Sequence, residues 1–333
     1  MVKTENFSGY SRQRGMALIT AMLVVAIAVT TASYISLDQQ IWLRQAENLT
    51  DRAQAEVVRA GVLDWTVTML TKDARESNSD NLTENWAKTL PPLPVEGGQI
   101  TGQISDAQAR FNINNLVRNN APSAPDIGTF QNLLKSLAID PNITDAAIDW
   151  IDADGDARPY GAEDIEYLQL EIPYRAANQP LQSIEELRLI RGITPEIFEK
   201  LQPWVTALPQ PTEINVNTAS KEVLSALFYT FPVAVIDQII EKRPHKDVAQ
   251  LTKTLQEQAK GGNIPQAYYG ISSSYFEVNI QTLFGRYSRT TQALIQRTAG
   301  GGPAQVLWHR QRLPTKIVAG STNTTESSGK QPM

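Results

Sequence analysis

The sequence predicts an α+β chain. One long N-terminal helix, transmembrane in its first half, packs on an antiparallel sheet, and the sheet carries a large inserted α-helical domain. Three observations predict this. Residues 16–37 contain no charged side chain. Helical spacing then continues to about residue 72 with no proline. Strand-like segments stand on both sides of a long region of helical periodicity.

Composition narrows the functions available. The 333 residues are 41% apolar and 20% charged, enough to build a core, which excludes a fibrous or wholly disordered chain. A net charge of −5 argues against nucleic-acid binding through bulk electrostatics. With no cysteine, disulfides, thiolate metal sites and Cys nucleophiles are all excluded. The two histidines, His245 and His309, stand far apart in unlike contexts and supply zinc or His-based acid–base chemistry poorly. No G-x-S-x-G, P-loop or H-E-x-x-H occurs, so no enzymatic constellation is evident.

Residues 16–37 are long enough to cross about 30 Å of hydrocarbon at about 1.5 Å per residue. Arg12 and Arg14 precede the run and Asp38 follows it. Positive charge on the N-terminal side keeps that end in the cytoplasm and puts the rest beyond the inner membrane. A cleaved secretory signal ending near Ala32-Ser33, or a plain anchor, are alternatives. However, a secretory signal has a shorter apolar region, and here Gly15 comes before the run. The order Arg12-Gln13-Arg14-Gly15 followed by Met16-Ala17-Leu18-Ile19 resembles a type IV prepilin leader. That resemblance implies cutting after Gly15 by a prepilin peptidase, N-methylation of Met16 and retention of the apolar helix.

Beyond the membrane, Leu49, Ala53, Val57, Ala60, Leu63, Val67 and Leu70 recur at helical spacing. Asp51, Arg52, Gln54, Glu56, Arg59 and Asp64 lie between them as a solvated face. One helix from about Met16 to Lys72 is roughly 85 Å long. Pro91-Pro92-Leu93-Pro94 and Gly97-Gly98 read as a loop. Gln99–Ser105 and Ala109–Ile113 read as a hairpin turning near Asp106. Residues 126–260 carry helical spacing, as in Phe130, Leu133, Leu134 and Leu137 or Ile184, Leu187 and Ile190. Strand signals return at Tyr275–Leu283, Gln292–Gln296 and Val306–Arg312, before a Ser/Thr/Gly/Pro-rich tail that reads as disordered.

The leader, the long helix and the sheet–insert–sheet order resemble the general secretion pathway protein K family, minor pseudopilins of the type II secretion system. The resemblance implies a type IV pilin-like fold. Its parts would be a leader (1–15), a transmembrane segment (16–37), a first pilin-like part (38–119), the helical insert (120–270), C-terminal pilin-like strands (271–313) and the tail (314–333). It implies a single-pass inner-membrane protein, in contact with membrane lipid, with a periplasmic head. Partners would be minor pseudopilins of the I, J and H types, without nucleic acid. The function implied is to initiate or cap the pseudopilus and support export of folded proteins. Thr20, fifth from Met16, stands where pilin-like subunits usually carry Glu, and its lack marks the K subunits, placed at the filament tip. A subunit with no neighbour above has no ammonium to pair with such a carboxylate. The plain alternative is that Thr is simply tolerated in a membrane helix. Two other classes stay open: a DNA-uptake, competence-type pilin, and a membrane-anchored periplasmic enzyme.

An acidic run, Asp149-Trp-Ile-Asp152-Ala-Asp154-Gly-Asp156, leads to Pro159-Tyr-Gly-Ala-Glu163-Asp164. Asp152, Asp154, Asp156 and Glu163 match EF-hand positions 1, 3, 5 and 12, but Ala157 replaces the required Gly at position 6. The carboxylates repel one another unless a cation or solvent intervenes. A solvated acidic loop with Asx turns is the plain alternative, and an Asp-x-Asp nucleotide-sugar site lacks a phosphate-cradling loop. The family resemblance implies Ca²⁺, with Asp152, Asp154, Asp156, Glu163 and Asp164 as ligands.

Ser183–Pro195 resembles half of a helix–hairpin–helix, and the run opening Ile214-Asn-Val-Asn resembles the start of another. The first hairpin has only Gly192 and the second has no glycine, so a phosphate-binding nest is missing and the pair reads as a packing unit. Ser183, with Glu186 completing a capping box, and Thr218 or Ser220 read as N-caps. Lys242-Arg243-Pro244-His245-Lys246 reads as a solvated helix end.

Overall fold

A computed structural model describes residues 13–259, 268–298 and 302–312. Most of the leader and the whole C-terminal tail lie outside the described residues. Helix α1 runs unbroken from Gln13 to Glu76. Five strands follow: β1 (Leu90–Val95), β2 (Gly98–Asp106), β3 (Tyr275–Phe284), β4 (Tyr287–Gln296) and β5 (Gln305–Arg312). They form one antiparallel sheet in the order β1-β2-β3-β4-β5. Adjacent strands β2 and β3 are joined by residues 107–274 instead of a turn. Asp106 at the end of β2 faces Phe276 on β3, so the two ends of the insert leave and return side by side.

Strands β3 to β5 fall where strand signals were expected, with β4 starting earlier, at Tyr287. Two other expectations need correction. The Pro-rich loop is strand β1, an edge strand whose register breaks between Leu90 and Leu93, where Pro91 and Pro92 cannot donate to a ladder. The expected hairpin between Gln99–Ser105 and Ala109–Ile113 does not form. Gln99–Ser105 pairs on both sides, with β1 and β3. The chain after Asp106 makes a 3-10 turn, and Phe111–Asn112 pairs in parallel with Val205–Thr206.

The buried face of α1 is also rotated from the one expected. Leu63 and Leu70 are buried, joined by Ala55 and Thr66, and Val67 is partly buried. Leu49 and Val57, by contrast, are 67% and 73% exposed. The sheet covers α1 only from about Ala55, and on one side. Leu63 and Leu70 pack with Ile100, Ile104, Phe276, Val278, Ile280 and Trp86. Trp86 meets the Phe276 ring edge-on at 5.1 Å.

Among the described residues, seven α-helices build the insert: α2 (Ala124–Ser136), α3 (Ile143–Ile151), α4 (Asp164–Leu168), α5 (Pro195–Leu201), α6 (Lys221–Leu227), α7 (Val233–Glu241) and α8 (Val248–Gln258). Two similar units lie within it. Phe111-Asn-Ile-Asn114 opens the first and Ile214-Asn-Val-Asn217 the second. Each begins with a two-residue strand paired in parallel to a later segment, Val205–Thr206 or Tyr269–Gly270. In each the first Asn accepts from the backbone N–H two residues on, Asn112 from Asn114 at 3.2 Å and Asn215 from Asn217 at 3.0 Å. Each leads to a helix after a serine, Ser123 or Ser220.

These asparagines replace sheet bonding with side-chain bonding. Asn114 donates to the carbonyls of Leu181 and Leu208 and accepts from Leu181 N–H. Asn115 clasps Thr212 through both its N–H and its carbonyl, and Asn217 clasps His245 likewise. Ser220 caps α6 by accepting from Val223 N–H at 3.3 Å, and Ser183 and Glu186 make the expected capping box. Thr218 is instead drawn to Asp106. Arg243 and His245 are partly buried, not solvated. Arg243 donates to Ala219 C=O at 2.6 Å, and burial lowers its pKa to about 10.

Among the contacts that fasten the insert to the sheet are two polar clusters. Fully buried Asp106 accepts from Gln108 N–H (2.8 Å), Asn215 Nδ2 (2.9 Å), Thr218 Oγ1 (2.5 Å) and Ser273 Oγ (2.7 Å). Glu185 takes Arg310 (2.9 Å) and Arg312 of β5. Asp106→Ala leaves buried donors unpaired and should lower stability by about 3 kcal/mol or more. Urea unfolding measures this, and an unchanged midpoint would show the junction to be redundant.

Candidate functional site

The acidic run begins at the C-terminal end of α3. Asp149 lies on that helix, with its carboxylate fully buried. Its Oδ2 accepts from Arg158 N–H at 3.0 Å, and the Arg158 side chain approaches Oδ1 at 3.6 Å. The chain turns back at Gly161, whose N–H donates to Arg158 C=O. A Cβ there would stand 1.7 Å from Asp149 Oδ2, so only glycine fits. Arg191 holds the Gly161 carbonyl from outside at 3.2 Å. Residues 152–163 are thereby folded into a loop pinned from behind.

Inside that loop Asp152, Asp154 and Glu163 converge. One carboxylate oxygen from each lies within 4.8 Å of the others. Asp152 and Glu163 are 8% and 5% exposed, while Asp154 faces solvent. Oδ1 of Asp152 and Oε1 of Glu163 are buried without a hydrogen-bond partner. Buried polar atoms are rarely left in that state. Glu163 N–H donates to Glu166 Oε2 at 2.9 Å, which fixes Glu163 at the start of α4. Asn178 donates to the Asp154 carbonyl at 3.1 Å, tying the loop to a second segment.

The other two expected ligands face elsewhere. Asp156 is exposed, and its N–H donates to Asp154 Oδ1 at 3.0 Å. Asp164 accepts from Arg175 at 2.8 Å and from Ala176 N–H at 3.1 Å. The scaffold of Asp149, Arg158 and Gly161 was not singled out from the sequence. The tight Arg-Pro-Tyr-Gly turn was its only visible signal.

Burial pushes Glu163 up to about 7, helped by Asp149, Asp152 and Asp154. Burial likewise raises Asp149 to about 6, and it raises Asp152, with Asp154 adding to it. A pocket that raises three carboxylates disfavours their charged forms and favours whatever neutralises them. Three hard oxygens at this spacing can hold a Ca²⁺ ion, which takes irregular carboxylate and carbonyl ligands at about 2.3–2.6 Å.

Gly15 and Met16 lie in the first turns of α1, and Thr20 follows on the same helix. The Thr20 hydroxyl donates to the carbonyls of Met16 and Ala17, at 3.1 and 3.0 Å. It therefore needs no polar partner in a lipid environment. The helix contains one window apolar enough to cross a membrane, with mean hydropathy 2.2. Gly192 forms a turn at φ +86° that packs against Ile143, and the Ser183–Leu189 segment is a 3-10 helix.

A helix long and apolar enough to cross a membrane that continues as the spine of an antiparallel sheet, with a helical insert between adjacent strands, defines a pilin-like subunit. Two family models, both described as type II secretion system (T2SS), protein K, match residues 109–210 and 214–272. The break between them falls between the two asparagine-bearing units. Type II secretion system protein K of Pectobacterium carotovorum is 34% identical, over 83% of this chain and 90% of its own length. The Pseudomonas aeruginosa protein of that name is 33% identical, over 87% and 90%. The crystal structure of the GspK–GspI–GspJ complex from the enterotoxigenic Escherichia coli type 2 secretion system includes a chain that superposes with a TM-score of 0.70 at 27% identity. That match covers 81% of this chain and all of the other. The chain belongs to the type II secretion system protein K family. It is a pseudopilin, a structural component of secretion rather than a member of a known enzyme family.

The raised carboxylates set a pH dependence. Glu163 has a folded pKa of about 7, above its ordinary 4.5. Its contribution is fully present below pH 4.5 and is lost as pH rises through 7. Cation-free protein should therefore melt at a lower temperature at pH 8 than at pH 5. Glu163→Gln should flatten that difference, as read by thermal melts across the range.

Proposed function

We propose that this chain is the minor pseudopilin at the tip of the type II secretion pseudopilus. There it assembles with other minor pseudopilins, starts or caps the filament, and supports export of folded proteins. The observation that carries the reading is the insert between β2 and β3. It broadens the head on one side without breaking the sheet or the helix, and a head of that width resists stacking within a shaft of closely packed subunits. The GspK–GspI–GspJ complex supports I- and J-type pseudopilins as partners; an H-type subunit is the further partner expected. The outer face of α1 supports assembly through helices, since Trp42, Leu43, Leu49 and Val57 are all exposed there. The leader resemblance supports cutting after Gly15 by a prepilin peptidase and N-methylation of Met16, with the N-terminus cytoplasmic and the head periplasmic. Thr20 supports the tip position, because a carboxylate there would be costly in lipid without a partner above it. Fluorescently labelled protein should appear once, at a filament end. Label repeated along the shaft would overturn the tip assignment.

The acidic loop is the head's calcium site in this reading, with Asp152, Asp154 and Glu163 as ligands. The unpartnered oxygens of Asp152 and Glu163 support it. At about 100-fold excess of free Ca²⁺ over its dissociation constant, binding adds about 2.7 kcal/mol. A chelator should lower the melting temperature of the wild type but not of a variant with Asp152→Asn, Asp154→Asn and Glu163→Gln. An unchanged wild type would leave the loop a solvated one.

A further inference from the structure

A second group of carboxylates gathers where α1 leaves the sheet, away from the acidic loop. Asp73 lies on the last turn of α1, and Asp80 and Glu84 lie in the loop that follows. One oxygen from each lies within 4.8 Å of the others. Arg297, just past β4, reaches both aspartates; its Nη1 donates to Asp73 at 2.8 Å and its Nη2 to Asp80 Oδ2. One guanidinium thus stands among three carboxylates.

Asp80 is 1% exposed. Its Oδ2 is engaged by Arg297 and by Ser273 N–H at 2.6 Å. Its Oδ1 is buried with no hydrogen-bond partner. Leaving such an atom unpaired is costly enough that buried carboxylate oxygens nearly always have a donor or an ion. Glu84 is held by Trp86 Nε1 at 2.6 Å and by Asn81. Asp73 and Glu84 are only partly buried, so the group is open to solvent on one side.

We propose that Asp73, Asp80 and Glu84 form a cation site at the junction of helix and head, for a hard divalent ion such as Ca²⁺. One such ion adds positive charge among the carboxylates and gives Asp80 Oδ1 a partner. Two oxygens bound to one Ca²⁺ at about 2.4 Å each stand no more than about 4.8 Å apart, and the three oxygens here lie within that limit. The bound ion ties the end of α1 to the following loop, and through Arg297 to the sheet. This inference does not rest on the acidic loop or on the position in the filament. A proton held by Asp73, whose pKa burial and its acidic neighbours raise to about 6, is the competing way to relieve the same charge.

The test uses the full chain in detergent micelles with Asp152→Asn, Asp154→Asn and Glu163→Gln, so that the acidic loop is silent. Tb³⁺ is the probe, because Trp86 touches Glu84 and would sensitise its emission. The expected result is tryptophan-sensitised Tb³⁺ emission displaced by Ca²⁺, and a rise in melting temperature with Ca²⁺. Glu84→Gln should weaken both by about tenfold or more in apparent affinity. Trp86→Phe should remove the emission and leave the Ca²⁺-dependent melting shift. Asp80→Asn should abolish binding, with far-ultraviolet circular dichroism checking the fold; if it fails to fold, partly exposed Glu84 carries the test. No emission and no Ca²⁺ shift would overturn the proposal. So would binding insensitive to Glu84→Gln.

Discussion

The fold depends on one buried carboxylate. Strand β2 ends at Asp106, and β3 begins beside it, where an ordinary meander would close with a short turn. Here the chain departs for residues 107–274. A connection of that length would hang loosely unless its two ends were fixed to each other and to the sheet. Asp106 does this by accepting from one donor on the outgoing chain, two within the insert and one on the returning chain. Burial raises its pKa, while the hydroxyl and backbone donors oppose that shift. Asn215 extends the junction by donating also to the Asp80 carbonyl, so the loop after α1 is fastened to the same point. Helix, sheet and insert are registered against one another by polar groups that have few other geometries available to them.

The insert repeats this logic internally. Its two units have little room for long strands, and they bind their crossing segments with asparagine side chains. Asn112, Asn114, Asn115 and Asn217 each serve backbone groups far along the chain. An amide can donate and accept at once, which lets one side chain stand in for a rung of sheet. The apolar core then closes over them, with Phe111 stacked on Phe130 at 5.4 Å.

What was legible follows from range. The membrane segment was legible because absence of charge needs no partner to interpret. Strands β3 to β5 carried local strand signals, and Ser183 with Glu186 formed a local capping signal. The buried face of α1 was not legible in full, because Leu49 and Val57 are as apolar as Leu63 and Leu70, and only the position of the sheet separates them. Strand β1 was hidden by three prolines that an edge strand tolerates. The segment Ala109–Ile113 alternated like a strand, yet its asparagine belongs to partners about 100 residues away in sequence. At the acidic loop, spacing brought out Asp152, Asp154 and Glu163. It did not reveal that Arg175 takes Asp164, or that Asp149 and Gly161 shape the turn, since neither relation is local.

The architecture separates two demands on α1. One face must hold the sheet, and it does so with Leu63, Thr66 and Leu70 buried against it. The rest of the helix must remain free if it is to lie among other helices, and Trp42, Leu49 and Val57 stay exposed where the sheet does not cover it. Had the insert entered through the β1–β2 turn or displaced an edge strand, it would have altered the sheet that positions α1. Entering between β2 and β3 leaves all five strands in sequential order, so the insert can vary in size and shape while the helix presents the same outer surface. The Arg310–Glu185 contact then fixes the insert against the last strand, where an ion pair partly shielded from water keeps the glutamate pKa near 2. The head is broadened at the end of β2 and braced at β5, and the exposed surface of the helix is left untouched.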